Sequence, residues 1–232
     1  TQHHAMLYDT GPPVAAGQRV SHSAIIPWLQ QLGITRLDHL MVSHGDNDHS
    51  GGVDALVHAI PVTHISSGEP ERLPVAAEQC YAGQQWQWDG VTFQVLHPQT
   101  SSRGKNSRSC VLKVTASDSA MLLPGDIEKQ QERTLLRQQP QQLHAQVLLA
   151  AHHGSRSSTT LPWLQSVKPQ WLIYSTGLNN RYKMPHPDVI SRANEQGIKQ
   201  LNTALQGRIH ITLAPGQVAV SHQRLHDLSM WA

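Results

Sequence analysis

Apolar positions at Ile25, Ile26, Leu29 and Leu32 recur at helical spacing and predict a helix over Ser23 to Leu32, with Pro27 in its first turn. Val53, Leu56, Val57 and Ile60 repeat the same period from Gly51 and stop at Pro61, a residue that ends helices because it lacks an N–H. Between and around them run shorter apolar stretches that read as strands: Ala5 to Tyr8, Leu40 to Val42, Val91 to Leu96, Val111 to Val114 and Met121 to Leu123. A polar helix follows Gly125-Asp126 through about Arg137, with Ile127, Leu135 and Leu136 as its apolar positions, and a glutamine-rich loop surrounds Pro140. The second half predicts a buried strand over Val147 to Ala150, a helix, the strand Trp171 to Tyr174 and a helix from about Pro187 to Gln196. Two last strands follow, Arg208 to Leu213 and Gln217 to Ser221. Trp86 and Trp88, at period two, read as one face of a sheet. No repeat and no Pro-, Gly- or Ser-rich linker divides the chain, so the pattern reads as one mixed α/β domain over 1–222, sheets with helices outside, and a tail over 223–232. The sequence opens directly on a strand and a turn, Asp9-Thr10-Gly11-Pro12, as expected of a segment of something longer.

The 232 residues are 38% hydrophobic and 15% charged, which suits a packed core and not a solvated disordered chain. No stretch approaches the roughly 20 apolar residues of a membrane-spanning helix, and no signal-peptide pattern opens the sequence. A net charge of +2 is too small for wholesale coating of nucleic acid. The two cysteines, Cys80 and Cys110, are too few for a thiolate zinc site; they read equally as one disulfide in an oxidising compartment or as two buried thiols. The sixteen histidines exceed any structural need, and several stand beside aspartates.

The densest chemistry is His44-Gly45-Asp46-Asn47-Asp48-His49, at a strand end and ahead of Gly51-Gly52 and a helix. Four nitrogen and oxygen donors on one turn can converge on one or two cations, and the mixed donor set suits zinc, manganese or iron. The competing reading, a polar turn with an incidental histidine pair, weakens because Asp9, Asp126 and His152 also follow apolar strands, where active-site groups collect in layered α/β folds.

Asp9, the His44-x-Asp46-x-Asp48-His49 run, Gly125-Asp126 and His152-His153-Gly154-Ser155 together resemble the metallo-β-lactamase superfamily. More narrowly, Tyr8-Asp9-Thr10-Gly11, Asp46 in place of a histidine, Asn106 to Ser109 before a strand, and Asn179-Asn180-Arg181-Tyr182 followed by His186-Pro187 resemble the hydrolase-like domain of ComEC-type competence DNA-uptake proteins. The resemblance implies a four-layered αββα sandwich lacking its opening strand, with two divalent ions, Mn²⁺ or Zn²⁺, and no small-molecule cofactor. It assigns ligation to His44, Asp46, Asp48, His49, Asp126 and His152. Asp126 would bridge the ions, and His153 would orient His152 or hold a substrate phosphate. Asp9 would accept a hydrogen bond from a ligand histidine, or act only as a turn residue, with Asn106 standing where the superfamily has a further histidine. Asp48, Asp126, His153 and His186 would share the catalytic work. His186 reads equally as a helix-entry residue, and Ser155 as an N-cap for the next helix. The replacement of nitrogen by oxygen at Asp46 and Asn106 favours a harder metal and a weaker site.

Arg103, Lys105, Arg108 and Lys113 fall within eleven residues free of acid, Arg156 follows the His-His-Gly-Ser step, and Arg181 and Lys183 flank Tyr182. A basic rim with an aromatic residue suits an anionic polymer, so Arg108, Ser155, Arg181 and Tyr182 are candidate substrate contacts; the alternative is a set of solvated loop charges. The resemblance implies a metal-dependent DNase, with two ions activating water. It would lie in an extracytoplasmic, periplasmic domain of an inner-membrane protein and degrade the non-transported strand of single- or double-stranded DNA beside a membrane-embedded channel domain of the same parent chain. Cys80 and Cys110 would then be a disulfide. Three alternatives stand beside it: a catalytically inactive DNA-binding or gating domain, a hydrolase of a small phosphodiester, and a β-lactamase, against which the basic loops argue.

Overall fold

A computed structural model describes residues 1–13, 21–99 and 106–224. Arg103, Lys105 and the last eight residues lie outside the described residues. The chain forms a mixed α/β fold in which two compact units can be distinguished by their contacts. The first comprises Thr1–Asp89 with Gln94–Val111, and the second comprises Gly90–Phe93 with the chain from Leu112 on. One crossing falls in the Asp89-Gly90 turn and the other two inside strands, so no linker composition marks them.

In the first unit, β1 (Met6–Tyr8), β2 (Leu37–Val42), β3 (Val62–Ser67) and β4 (Glu78–Gln79) form a parallel sheet in that order, with Tyr8 opposite Met41 and Leu40 opposite Ile65. The expected first helix is shorter than its apolar period. Ser21–Ile25 form a π-type turn, and α1 covers Ile26–Gln31 with Pro27 in its first turn, where no N–H is needed. Leu29 is buried, whereas Leu32 caps the helix and is 52% exposed. A one-turn helix, α2 (Asn47–Ser50), precedes α3 (Val53–Ala59), which lies where expected. Leu29, Leu37, Leu40, Val42, Val53, Leu56 and Ile60 make the core that holds α1 and α3 on β2. At about 1.5–3 kcal/mol per fully buried aliphatic side chain, this cluster fixes the direction in which β1, β2 and β3 end. β5 (Gln85–Trp88) alternates exposed glutamines with half-buried tryptophans, Trp86 packing near His39 and Trp88 stacking on His4. Cys80 and Cys110 form a disulfide.

β6 (Val91–His97) is shared by the units, and β7 (Val111–Ala116) leads into the second. There β8 (Ser119–Leu123), β9 (Val147–Leu149), β10 (Trp171–Tyr174) and β11 (Lys199–Asn202) run parallel, with β7 antiparallel on β8. The helices are α4 (Lys129–Gln138), α5 (Leu161–Val167), α6 (Pro187–Glu195) and the single turn α7 (Thr203–Gln206). The hairpin β12 (Ile209–Ala214) and β13 (Gln217–His222) forms a separate antiparallel ladder. Buried Glu132 of α4 accepts the main-chain N–H groups of Thr159 and Thr160 at 2.5 and 3.0 Å, so it caps α5 across the unit. The N-cap of α5 is therefore Thr160, not Ser155, which closes the preceding turn and meets Ser157 instead.

Candidate metal-ligand clusters

Parallel strands end on one edge of their sheet, and in the first unit that edge collects three functional segments. Asp9 follows β1, Ser43 to His49 follow β2, and Gly68-Glu69 follow β3. Asp9 sits at φ 64°, a left-handed conformation that aspartate tolerates, and turns its carboxylate back onto the end of β2. It accepts Ser43 N–H at 2.6 Å, Ser43 Oγ–H at 3.0 Å and His49 Nδ1–H at 2.7 Å. Because the Ser43 hydroxyl proton goes to Asp9, Ser43 Oγ is left to accept His44 Nδ1–H at 3.0 Å. Both imidazoles are thereby held as the Nδ1–H tautomer, with the Nε2 lone pair directed away from the strand ends. Both rings are buried, their centroids 4.3 Å apart, and each Nε2 faces a carboxylate: Asp46 Oδ2 is 3.8 Å from His44 Nε2, and Asp48 Oδ2 is 4.0 Å from His49 Nε2.

Asp46 is not as free as its place in the motif suggests. Its Oδ1 accepts Arg72 Nη2–H at 2.7 Å, and Arg72 Nη1 bonds Glu69 at 2.6 Å. Neither Arg72 nor Glu69 is marked by any motif. Gly68 makes the neighbouring approach possible, since a Cβ there would lie 1.8 Å from the Arg108 carbonyl oxygen. Arg108 itself is ion-paired to Glu71 and bonded to Gln79, so this candidate substrate contact is already neutralised. Asn106, at φ 59°, starts the turn that bonds back from Ser109 N at 3.1 Å.

The second unit repeats the device at the ends of β8 and β9. Gly125-Asp126 follow β8, and the turn Ala151–Gly154 follows β9 with His152 and His153 both left-handed, at φ 50° and 55°. Two consecutive non-glycine residues in that region cost energy that the surroundings must supply, a feature concentrated at functional sites. Here the His152 N–H bond to the Gly125 carbonyl, 3.0 Å, helps to hold it. The outcome is that the buried Asp126 carboxylate has one histidine per oxygen: His152 Nε2 is 3.6 Å from Oδ2, and His153 Nε2 is 3.8 Å from Oδ1. His153 Nδ1–H donates to the Ser175 carbonyl at 2.8 Å, which makes Nε2 the nitrogen that could coordinate an ion. His152 Nδ1 lies 3.4 Å from Glu128, a carboxylate outside every sequence motif. The rings are 6.4 Å apart, so Glu128 and not His153 stands in the place expected of an orienting group for His152. His153 has the geometry of a ligand in its own right.

Asp48 and His49 offer donor atoms within 4.8 Å of each other, and so do Asp126 and His153. Imidazole nitrogen with carboxylate oxygen, tautomers fixed from behind, fits a divalent transition-metal ion. The remaining candidates sit in surface segments. His186 is the N-cap of α6, its Nδ1 accepting Asp188 N–H at 3.1 Å. The Arg181 guanidinium stacks 4.7 Å over the exposed Tyr182 ring. Arg156 pairs with Asp188, and Lys113 donates to the Gln142 carbonyl.

Residues 1–170 match the sequence profile of the metallo-beta-lactamase superfamily. The chain belongs to that superfamily. A solved metallo-beta-lactamase-fold protein, YhfI from Bacillus subtilis, shares the fold with a TM-score of 0.53 at 12% identity, over 87% of this chain and 85% of that one. Competence protein ComA of Neisseria gonorrhoeae is 39% identical over 97% of this metallo-beta-lactamase-fold chain and 32% of its own length. Recombination protein 2 of Haemophilus influenzae is 34% identical over 94% of this chain and 27% of its own. The chain thus spans about a third of the relatives it matches. Among the described residues, no helix is long and apolar enough to cross a membrane.

Proposed function

We propose that this chain is the hydrolase domain of a ComEC-type competence protein and cleaves phosphodiester bonds of DNA outside the cytoplasmic membrane, removing the strand that is not transported. The observation that carries the reading is the Asp9–Ser43 relay, which sets both His44 and His49 to present Nε2 beside the carboxylates of Asp46 and Asp48. A merely structural histidine pair has no need of two fixed tautomers aimed at acids. In this reading His44, Asp46, Asp48, His49, Asp126, His152 and His153 hold two divalent cations, Mn²⁺ or Zn²⁺. Such ions supply Lewis-acid stabilisation of charge on a phosphoryl oxygen. The chain's own contribution is orientation: Asp9 and the Ser43 hydroxyl keep the Nδ1 protons in place, and the Ser175 carbonyl does the same for His153. His186 Nδ1 accepts a main-chain N–H, so Nε2 is the nitrogen left to carry a proton toward a leaving group. The Cys80–Cys110 disulfide supports an oxidising, extracytoplasmic location. DNA and a membrane-embedded channel domain of the same parent chain are the partners this reading requires.

A gating or DNA-holding module without catalysis is the second reading. Asn106, standing where the superfamily has a further nitrogen donor, favours it by weakening metal affinity. The test is end-labelled single- and double-stranded DNA with chelator-stripped protein, restored with Mn²⁺, Zn²⁺ or Mg²⁺, beside His49→Ala. Cleavage that returns with metal and is lost in His49→Ala is expected. DNA retained in a gel shift, insensitive to chelator and uncut with every metal, refutes the nuclease reading in favour of the second. Cleavage of a chromogenic diester alone points to a small phosphodiester.

A further inference from the structure

We propose that Arg72 is a positioning residue for the metal centre, holding Asp46 as a one-oxygen donor directed at the His44 side. The inference rests on the metal-binding reading above and concerns how Asp46 is made usable in it. Asp46 lies on a tight turn where a free carboxylate can rotate and present either oxygen or both. Arg72 removes that freedom by binding Oδ1 at 2.7 Å, which leaves Oδ2 toward His44 Nε2, 3.8 Å away.

The clamp is built into the fold. Arg72 ends the short 3₁₀ turn Pro70–Arg72 just after β3, so the parallel pairing of β2 and β3 brings it beside the turn that follows β2. Glu69, 6% exposed, accepts both Arg72 Nη1–H at 2.6 Å and Gly45 N–H at 2.9 Å, fastening the guanidinium and the ligand turn to one carboxylate. Gly45 is required by the same device: a Cβ there would stand 2.6 Å from Arg72 Cβ and 2.8 Å from its Nε. The planar fork of arginine satisfies two carboxylates at fixed angles, which lysine cannot do. A carboxylate with one oxygen engaged offers one donor atom, the same number as the histidine nitrogen it replaces in the motif.

The test is Mn²⁺ and Zn²⁺ titration by calorimetry on the chelator-stripped chain, with metal content per chain measured separately and no reference to activity. Arg72→Lys keeps the charge and loses the fork. Arg72→Met keeps the stem over Gly45 and loses both. Arg72→Met with Glu69→Gln also avoids leaving a buried unpaired carboxylate, so it stays informative where the single variant fails to fold. Loss of an orienting group of this kind weakens metal binding about 10–100-fold, so at least a tenfold weakening is expected in all three. If the guanidinium acts only as a repelling charge, Arg72→Lys binds as wild type does and the charge-removed variants bind more tightly; that result overturns the inference. Variants that all bind as wild type does overturn it too, with the metal reading intact. A wild-type chain that takes up neither cation removes the metal reading and this inference together.

Discussion

Reducing the disulfide will loosen more than the loop it closes. Cys80 and Cys110 are 30 residues apart, and a cross-link of that span removes about 3.6 kcal/mol of unfolded-state entropy at 25 °C. Whole domains are stable by only about 5–15 kcal/mol, so the bond is a large share of what holds its unit together. Its position matters as much as its span. Cys80 N–H bonds the Ser67 carbonyl at the end of β3, and Cys110 N–H bonds the Ser43 carbonyl at 2.9 Å, one residue before His44. Tyr8, next to Asp9, donates its hydroxyl to the Cys110 carbonyl at 2.6 Å. The bridge therefore ties the ends of β1, β2 and β3 into one block, the block that carries the histidine relay. Urea denaturation of the oxidised chain, the reduced chain and Cys80→Ser/Cys110→Ser measures the effect. With a slope of about 2–3 kcal/mol per M, the midpoint falls by about 1–2 M. Mn²⁺ and Zn²⁺ affinity falls with it under conditions where the reduced chain is still folded. A midpoint within about 0.3 M of the oxidised protein refutes the stability argument. Unchanged metal affinity in the folded, reduced chain refutes the link from the bridge to the relay.

Asp9→Asn keeps the size and the left-handed tolerance of residue 9 but removes the charge that both histidine tautomers depend on, so metal affinity should drop about 10–100-fold in a titration while the circular dichroism spectrum is unchanged. Stability should fall with acidity through His39, which is buried against Ser66 and has His64 beside it; burial first, and then the His64 charge, push its pKa down from 6.5 to about 3. The folded state refuses a proton that the unfolded state accepts below pH 6.5, so this contribution is complete above pH 6.5. It is lost toward pH 3 at up to about 1.4 kcal/mol per pH unit. Chemical denaturation as a function of pH on wild type and His39→Gln checks it, the variant showing the shallower slope over that window.

The legibility of this chain follows the range of the interaction that made each feature. Donors supplied by one turn are local, so His44, Asp46, Asp48 and His49 stand out in the sequence, and apolar strands that run into them place the turn at a sheet edge. Strand β3 is hidden because Thr63, His64, Ser66 and Ser67 break the apolar pattern; it exists through main-chain pairing with β2. Every feature that hangs on β3 is hidden with it, Glu69 and Arg72 above all, although they hold the His44–His49 turn. Charge counting meets the same limit. The basic residues Arg108 and Arg156 are visible in the sequence, but their partners Glu71 and Asp188 come from distant segments and turn a supposed free rim into paired surface. The adjacent pair His152 and His153 is harder still, because two neighbouring imidazoles have the same composition, spacing and burial. What separates their roles is a backbone held at positive φ, which swings each ring to a different oxygen of Asp126 and brings one Nδ1 to Ser175 and the other to Glu128. The nitrogen that each ring presents in such a turn is thus decided by which acceptor stands behind it. That acceptor is set by strand register in the case of Ser175, at the end of β10, and by the capping turn of α4 in the case of Glu128.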